Sequence, residues 1–114
     1  MADLREGRIA NRHRGEIDAM LDGRRYTLCL TLGALAELEA AFGASDLQAL
    51  AGRFSEGRLA ALDLVRIIGA GLRGAGESVD NSEVAAMQAE GGAAGFARIA
   101  ADLLTATFGG EAAA

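Results

Sequence analysis

Residues 16–31 read Glu16-Ile17-Asp18-Ala19-Met20-Leu21-Asp22-Gly23-Arg24-Arg25-Tyr26-Thr27-Leu28-Cys29-Leu30-Thr31. An Asp-Gly pair between two alternating segments marks a two-residue type I′ hairpin, because both turn residues must adopt positive φ. Closing the chain at Asp22-Gly23 pairs Leu21 with Arg24, Ala19 with Tyr26 and Ile17 with Leu28, while Met20 meets Arg25 and Asp18 meets Thr27. One face then carries Ile17, Ala19, Leu21, Tyr26, Leu28 and Leu30, and the other is mostly polar. That alternation is what a hairpin lying on a helical layer needs.

Downstream the apolar period changes from two to between three and four. Leu35, Leu38 and Phe42 form one helical stripe, with Thr31 placed to cap its start and Gly43 to end it. A second, short helix is predicted from Ser45, whose spacing to Gln48 makes a capping box, and it turns Leu47, Leu50, Ala51 and Phe54 inward. A third spans about Leu59 to Arg73 with Leu62, Val65, Ile68 and Leu72 recurring on one side. A weaker fourth runs from about Ser82 to Gln88 behind Asp80 and Asn81. The last covers about Ala93 to Phe108, with Phe96, Ile99, Leu103 and Thr107 or Phe108 on its stripe, and Gly109-Gly110 stop it. The expected fold class is α+β, mostly α: an N-terminal β-hairpin packed on about five short helices, without βαβ alternation or a fixed repeat. The expected domain organisation is a flexible basic arm over 1–14, one hairpin-plus-helices domain over 15–109 and a flexible tail over 110–114. A lone hairpin is marginal in water, so it must be covered by helices or extended by another strand, one from a neighbouring chain included.

Composition limits the core. Of the 114 residues 26 are Ala, and only 27 are Leu, Ile, Val or Phe. An alanine position contributes less than a buried Leu, worth about 1.5–3 kcal/mol, so docking on a partner or self-association would help such a domain. All 11 cations are Arg. Arg5, Arg8, Arg12 and Arg14 against Asp3 and Glu6 give the first 14 residues a net +2, which leaves −7 on the remaining hundred. An acidic body repels phosphate, which argues against nucleic-acid binding outside the arm. The single Cys29 cannot form an internal disulfide and fits a reducing compartment. No run approaches the length of a membrane span and no apolar leader core precedes a cleavage site, so the expected location is cytoplasmic, with no membrane partner.

Few residues suggest chemistry. Gly69-Ala70-Gly71-Leu72-Arg73-Gly74, after the strand-like Leu64-Val65-Arg66-Ile67-Ile68, has the form of a dinucleotide-binding turn. Its context is wrong: a polar loop follows where a helix should open, and Glu90, near the right distance for a ribose ligand, ends no strand. A helix fraying into a Gly-rich loop, with Gly69 and Gly71 admitting a close neighbour, explains the same residues. Cys29 lacks a base, since the sole histidine, His13, lies in the arm, and on the hairpin register Cys29 sits opposite Glu16, whose charge opposes thiolate formation. One His and one Cys do not make a four-ligand zinc site. Glu37 and Glu39 point to different sides of their helix and read as a solvated face. No catalytic, cofactor-binding or metal residue is assigned, and no cofactor is expected.

The stretch Asn11 to Gly43, that is Asn11-Arg12-His13-Arg14-Gly15 followed by the hairpin and Leu32-Gly33-Ala34-Leu35-Ala36-Glu37-Leu38-Glu39-Ala40-Ala41-Phe42-Gly43, resembles the start of a gene transfer agent protein family. Ile68 to Gly76, Glu83-Val84-Ala85-Ala86-Met87 and the Ala-rich last helix are similar to it too, so the resemblance extends from about Asn11 to Phe108. That family is labelled a phage tail tube protein and is grouped with tail assembly chaperones. The resemblance implies a non-enzymatic role in tail morphogenesis with tail proteins, tape-measure and tube subunit, as partners; the thin core and the hairpin edge add a homo-oligomer as a further option. Tube subunits are β-rich, whereas this chain offers two strands, which favours a chaperone over the alternative of a structural tube subunit retained in the particle. A nucleotide-binding protein using Gly69 to Gly74 is the distant alternative.

Overall fold

A computed structural model describes Asn11, residues 14–55 and residues 59–109. Strand β1 (Glu16–Leu21) pairs antiparallel with β2 (Arg24–Cys29) in the register expected from the turn, Leu21 opposite Arg24 and Glu16 opposite Cys29. Asp22 and Gly23 both have positive φ, 55° and 73°. All six residues expected on the inner face are buried, and Leu21 and Leu28 are wholly inaccessible. The hairpin tip is fastened from the other end of the chain: the Asp22 N–H donates to the Gln88 carbonyl at 2.8 Å, and the Gln88 N–H donates to Asp22 Oδ1 at 2.8 Å.

Helix α1 (Leu32–Phe42) starts and stops where its caps require. Thr31 Oγ1 accepts from the Ala34 N–H at 3.1 Å, and Gly43 closes the helix at φ 70°. Helix α2 (Leu47–Ser55) begins two residues later than expected, because the carboxylate of Asp46, not the hydroxyl of Ser45, takes the free Ala49 N–H, at 2.7 Å. An anion at this position also interacts favourably with the helix dipole. Leu50 and Phe54 turn inward as predicted, Phe54 meeting Phe42 edge to face at 5.3 Å. Leu47 does not. It stands in the first turn and keeps 38% of its surface.

Helix α3 (Ala61–Gly74) is the centre of the molecule, packing against β2, α1, α5 (Gly92–Phe108) and the short α4 (Asn81–Ala85). It is buried without interruption from Ile67 to Leu72 and only partly before that. Its first turn therefore projects beyond the layer packed on it, which is why Leu62, expected inside, is 56% exposed. Helix α4 is shorter than predicted and has Asp80 as its cap, while Asn81 is its first helical residue and accepts from Arg73 Nη1 at 3.1 Å. The same guanidinium donates to the Val79 carbonyl at 3.0 Å and pairs with Glu37, joining α1, α3 and the loop before α4. Glu37 is thus an ion-pair partner as well as a solvated residue.

Asp80 supplies a pH test. The Glu83 backbone N–H, then the Ser82 hydroxyl, hold its carboxyl below the usual carboxylate range. A depressed acid stabilises the fold above its unfolded-state value, about 4, and loses that contribution as pH falls through the folded value. Asp80→Asn keeps a capping side chain without the charge. Wild type is therefore expected to lose stability relative to Asp80→Asn on acidification below about pH 4. A urea midpoint difference between the two that stays constant from neutral pH downward contradicts this role for Asp80.

Candidate protein-binding surface

The glycines that suggested a nucleotide turn lie inside a helix. Gly69, Gly71 and Gly74 are all within α3, which stays helical through Gly74 with no fraying at the motif. Each faces a neighbour too close to leave room for a side chain. A Cβ at Gly69 would overlap Asn81 Oδ1. One at Gly71 would come within 2.6 Å of the Leu103 side chain and 3.3 Å of Leu28, and one at Gly74 would collide with the Cys29 carbonyl. The spacing brings α3 against β2, α5 and α4. It forms no phosphate loop. Glu90 lies in the turn before α5 and is exposed.

Cys29 is half-buried on the outer face of β2, with Sγ 3.6 Å from the Arg14 carbonyl. Burial pushes its thiol up first, the carboxylate of Glu16 adds to this, and Arg14 works against both. Cys29 is expected to react more slowly with iodoacetamide at mildly alkaline pH than a free cysteine, because only the thiolate attacks. A mass-monitored time course showing equal or faster alkylation refutes that environment. His13, Arg12 and the arm over residues 1–10 lie outside the described residues, as does the tail over 110–114. Among the described residues no group of three or more His, Cys, Asp and Glu side chains is placed to hold a metal ion.

Two concave surfaces among the described residues bear on binding. The first is an apolar cleft between α3, α4 and the start of α5, with Val65, Ile68, Val84 and Phe96 in its walls. The second is an open groove of about 520 Å³ between β1 and α5. Asp18, Ala19 and Met20 form one side of it, and Arg98, Ile99 and Asp102 stand on the other, with Glu90 at one end. Asp18 uses Oδ2 to pair with Arg25 at 2.7 Å, while its Oδ1 is buried without a hydrogen-bond partner among the described residues. The outer face of the hairpin also leaves Met20 half exposed.

Among the described residues these surfaces lie beside a single two-stranded sheet, and the residues that could carry chemistry are scattered. Residues 14–110 match the model of a family described as phage tail tube protein, GTA-gp10. The chain belongs to that family. No curated protein and no solved structure matches it. The match begins at Arg14, beside the hairpin, and ends just past Gly109, which closes α5 at φ 66°. The resemblance seen in the sequence is thus the family of the chain, and its role is a tail-related one, in structure or in morphogenesis. Among the described residues no helix of this phage tail family member is long and apolar enough to cross a membrane.

The sequence pattern pointed to the hairpin edge but not to the groove beside it. Asp18 and Met20 are recognisable as outer-face residues from the alternation alone. Glu90, Arg98 and Asp102 carry no local signal, since only the packing of α5 on β1 brings them to the same place.

Proposed function

We propose that this chain is a non-enzymatic tail assembly chaperone, which coats the tape-measure protein in the cytoplasm and brings tube subunits to it. The observation that carries this reading is the strand content. A tube wall is made of sheets joined around a ring, so each subunit must present paired sheet edges on two sides. Among the described residues there is one sheet of two six-residue strands, followed by five helices. An Ala-rich helical domain with an apolar cleft and a sheet-edge groove suits reversible coating of other chains. The second reading, a structural subunit kept in the particle, is favoured by the family description itself.

Co-purification of the tagged chain from cells expressing the neighbouring tail genes separates the two, with mass spectrometry of the soluble complexes and of finished particles. The chaperone reading expects the chain on tape-measure protein before assembly and its absence from mature tails. Stoichiometric recovery from mature tails overturns it in favour of a structural subunit.

A further inference from the structure

Asp22-Gly23, which makes the hairpin turn, is also the pair most open to a backbone rearrangement. Of the seven aspartates in the chain only Asp22 precedes glycine, and glycine has no Cβ to crowd its own nitrogen. The Gly23 nitrogen can therefore attack Cγ of Asp22. The new N–Cγ bond closes a five-membered succinimide, and the hydroxyl of the protonated carboxyl leaves as water with the Gly23 N–H proton. Water then adds at the main-chain carbonyl carbon of Asp22 and breaks its bond to the Gly23 nitrogen. The nitrogen stays on Cγ and the main-chain carbonyl becomes a carboxylate. Aspartate has become isoaspartate, with no net change of mass or oxidation state.

The folded hairpin opposes the first step. Ring closure requires the Gly23 nitrogen to eclipse Cβ of Asp22, whereas positive φ at both turn residues, 55° and 73°, makes the turn type I′. The first residue of such a turn has ψ of about 30°, which puts the following nitrogen nearly opposite Cβ. Asp22 is latched as well. Its N–H donates to the Gln88 carbonyl and its Oδ1 accepts from the Gln88 N–H, each at 2.8 Å, so neither its backbone nor its carboxyl turns alone. The latch is thin, however. Asp22, Gly23 and Gln88 are all exposed, and Gln88 lies in the irregular segment between α4 and α5, where local opening needs far less free energy than global unfolding.

We propose that Asp22-Gly23 is a site of isoaspartate formation guarded by Gln88, so that the modification accumulates through molecules whose hairpin tip has been released. The product cannot latch again. Its chain runs through Cβ and its carboxylate sits on Cα, so the two-residue turn gains a backbone atom and the Gln88 N–H loses its acceptor. The change is a one-way record of tip opening, and it holds for either tail role of the chain.

The test follows isoaspartate at Asp22 over weeks at physiological temperature and mildly acidic pH, where part of the carboxyl is protonated. Electron-transfer fragmentation distinguishes the two isomers by their backbone cleavage. Wild type is compared with Gln88→Pro and with a synthetic peptide of residues 16–31. Proline removes the N–H that holds Oδ1 and keeps the carbonyl that accepts from Asp22. The peptide is expected to react about tenfold faster than folded wild type, and folded Gln88→Pro about tenfold faster than wild type. In the isoaspartyl fraction of wild type, hydrogen exchange at the Gln88 amide is expected to be faster than in unmodified chain, a readout that needs no variant. A peptide that forms no isoaspartate over the same time overturns the site. Equal rates in peptide and folded wild type overturn the guard, as does a folded Gln88→Pro that reacts no faster than wild type. If Gln88→Pro does not fold, the comparison of peptide with wild type and the exchange of Gln88 decide, and unchanged exchange in the isoaspartyl fraction overturns the latch.

Discussion

Replacing Gly74 with Val is expected to destabilise the chain by about 3 kcal/mol or more, enough to leave much of it unfolded. A Cβ at this position meets the backbone carbonyl of Cys29, which has no side-chain freedom with which to move away. That carbonyl belongs to β2, whose register is set by the Asp22-Gly23 turn and six residue pairs, and Gly74 belongs to the last turn of α3. Relief requires α3 to separate from the sheet it covers. Gly52→Ala in α2 is the control, since a Cβ there meets nothing within 4 Å, and the better helix former should stabilise the chain by about 0.5–1 kcal/mol. Urea denaturation followed by circular dichroism gives both values. A Gly74→Val midpoint close to that of wild type would mean that α3 and β2 do not approach this closely.

Leu28→Ala is expected to cost about 3–5 kcal/mol. Leu28 is wholly inaccessible, lies opposite Ile17 in the hairpin and reaches the backbone of α3 at Gly71. The hollow left behind is bounded by a strand on one side and the central helix on the other, neither of which can collapse into it without moving its partner. Met20→Ala, on the opposite face of the same hairpin and half exposed, should change stability by no more than about 0.5 kcal/mol. Similar losses for the two variants would refute the assignment of inner and outer faces.

The parts of the fold legible in the sequence are those fixed by neighbours in the chain. Asp22-Gly23 sets the turn, the turn sets the register, and the register sends six named residues to the core. Thr31 and Gly43 bound α1 by the same local logic. Where two capping residues stand side by side, as Ser45 and Asp46 do, local rules choose poorly, and the first-turn positions Leu47 and Leu62 show the same limit. Periodicity places them on a stripe, but whether anything lies opposite depends on how far the neighbouring helices extend. The glycines of α3 were ambiguous for a related reason. Close approach to a phosphate and close approach to a strand both require the missing Cβ, and only the position of Cys29 and Leu28 decides between them. The groove was the least legible feature because its two walls are some 80 residues apart in the chain.

The fastening of Asp22 to Gln88 has a consequence for the order of folding. A hairpin closes in about 1–10 μs once its residues are available, yet two strands alone are not stable in water. Here the tip waits for a partner 66 residues further on, and the inner face waits for α3 and for Leu103 in α5. During synthesis at about 5–20 residues per second, the hairpin is therefore exposed for several seconds with its apolar face uncovered. Within residues 14–109 the first element to be synthesised is thus among the last to become secure.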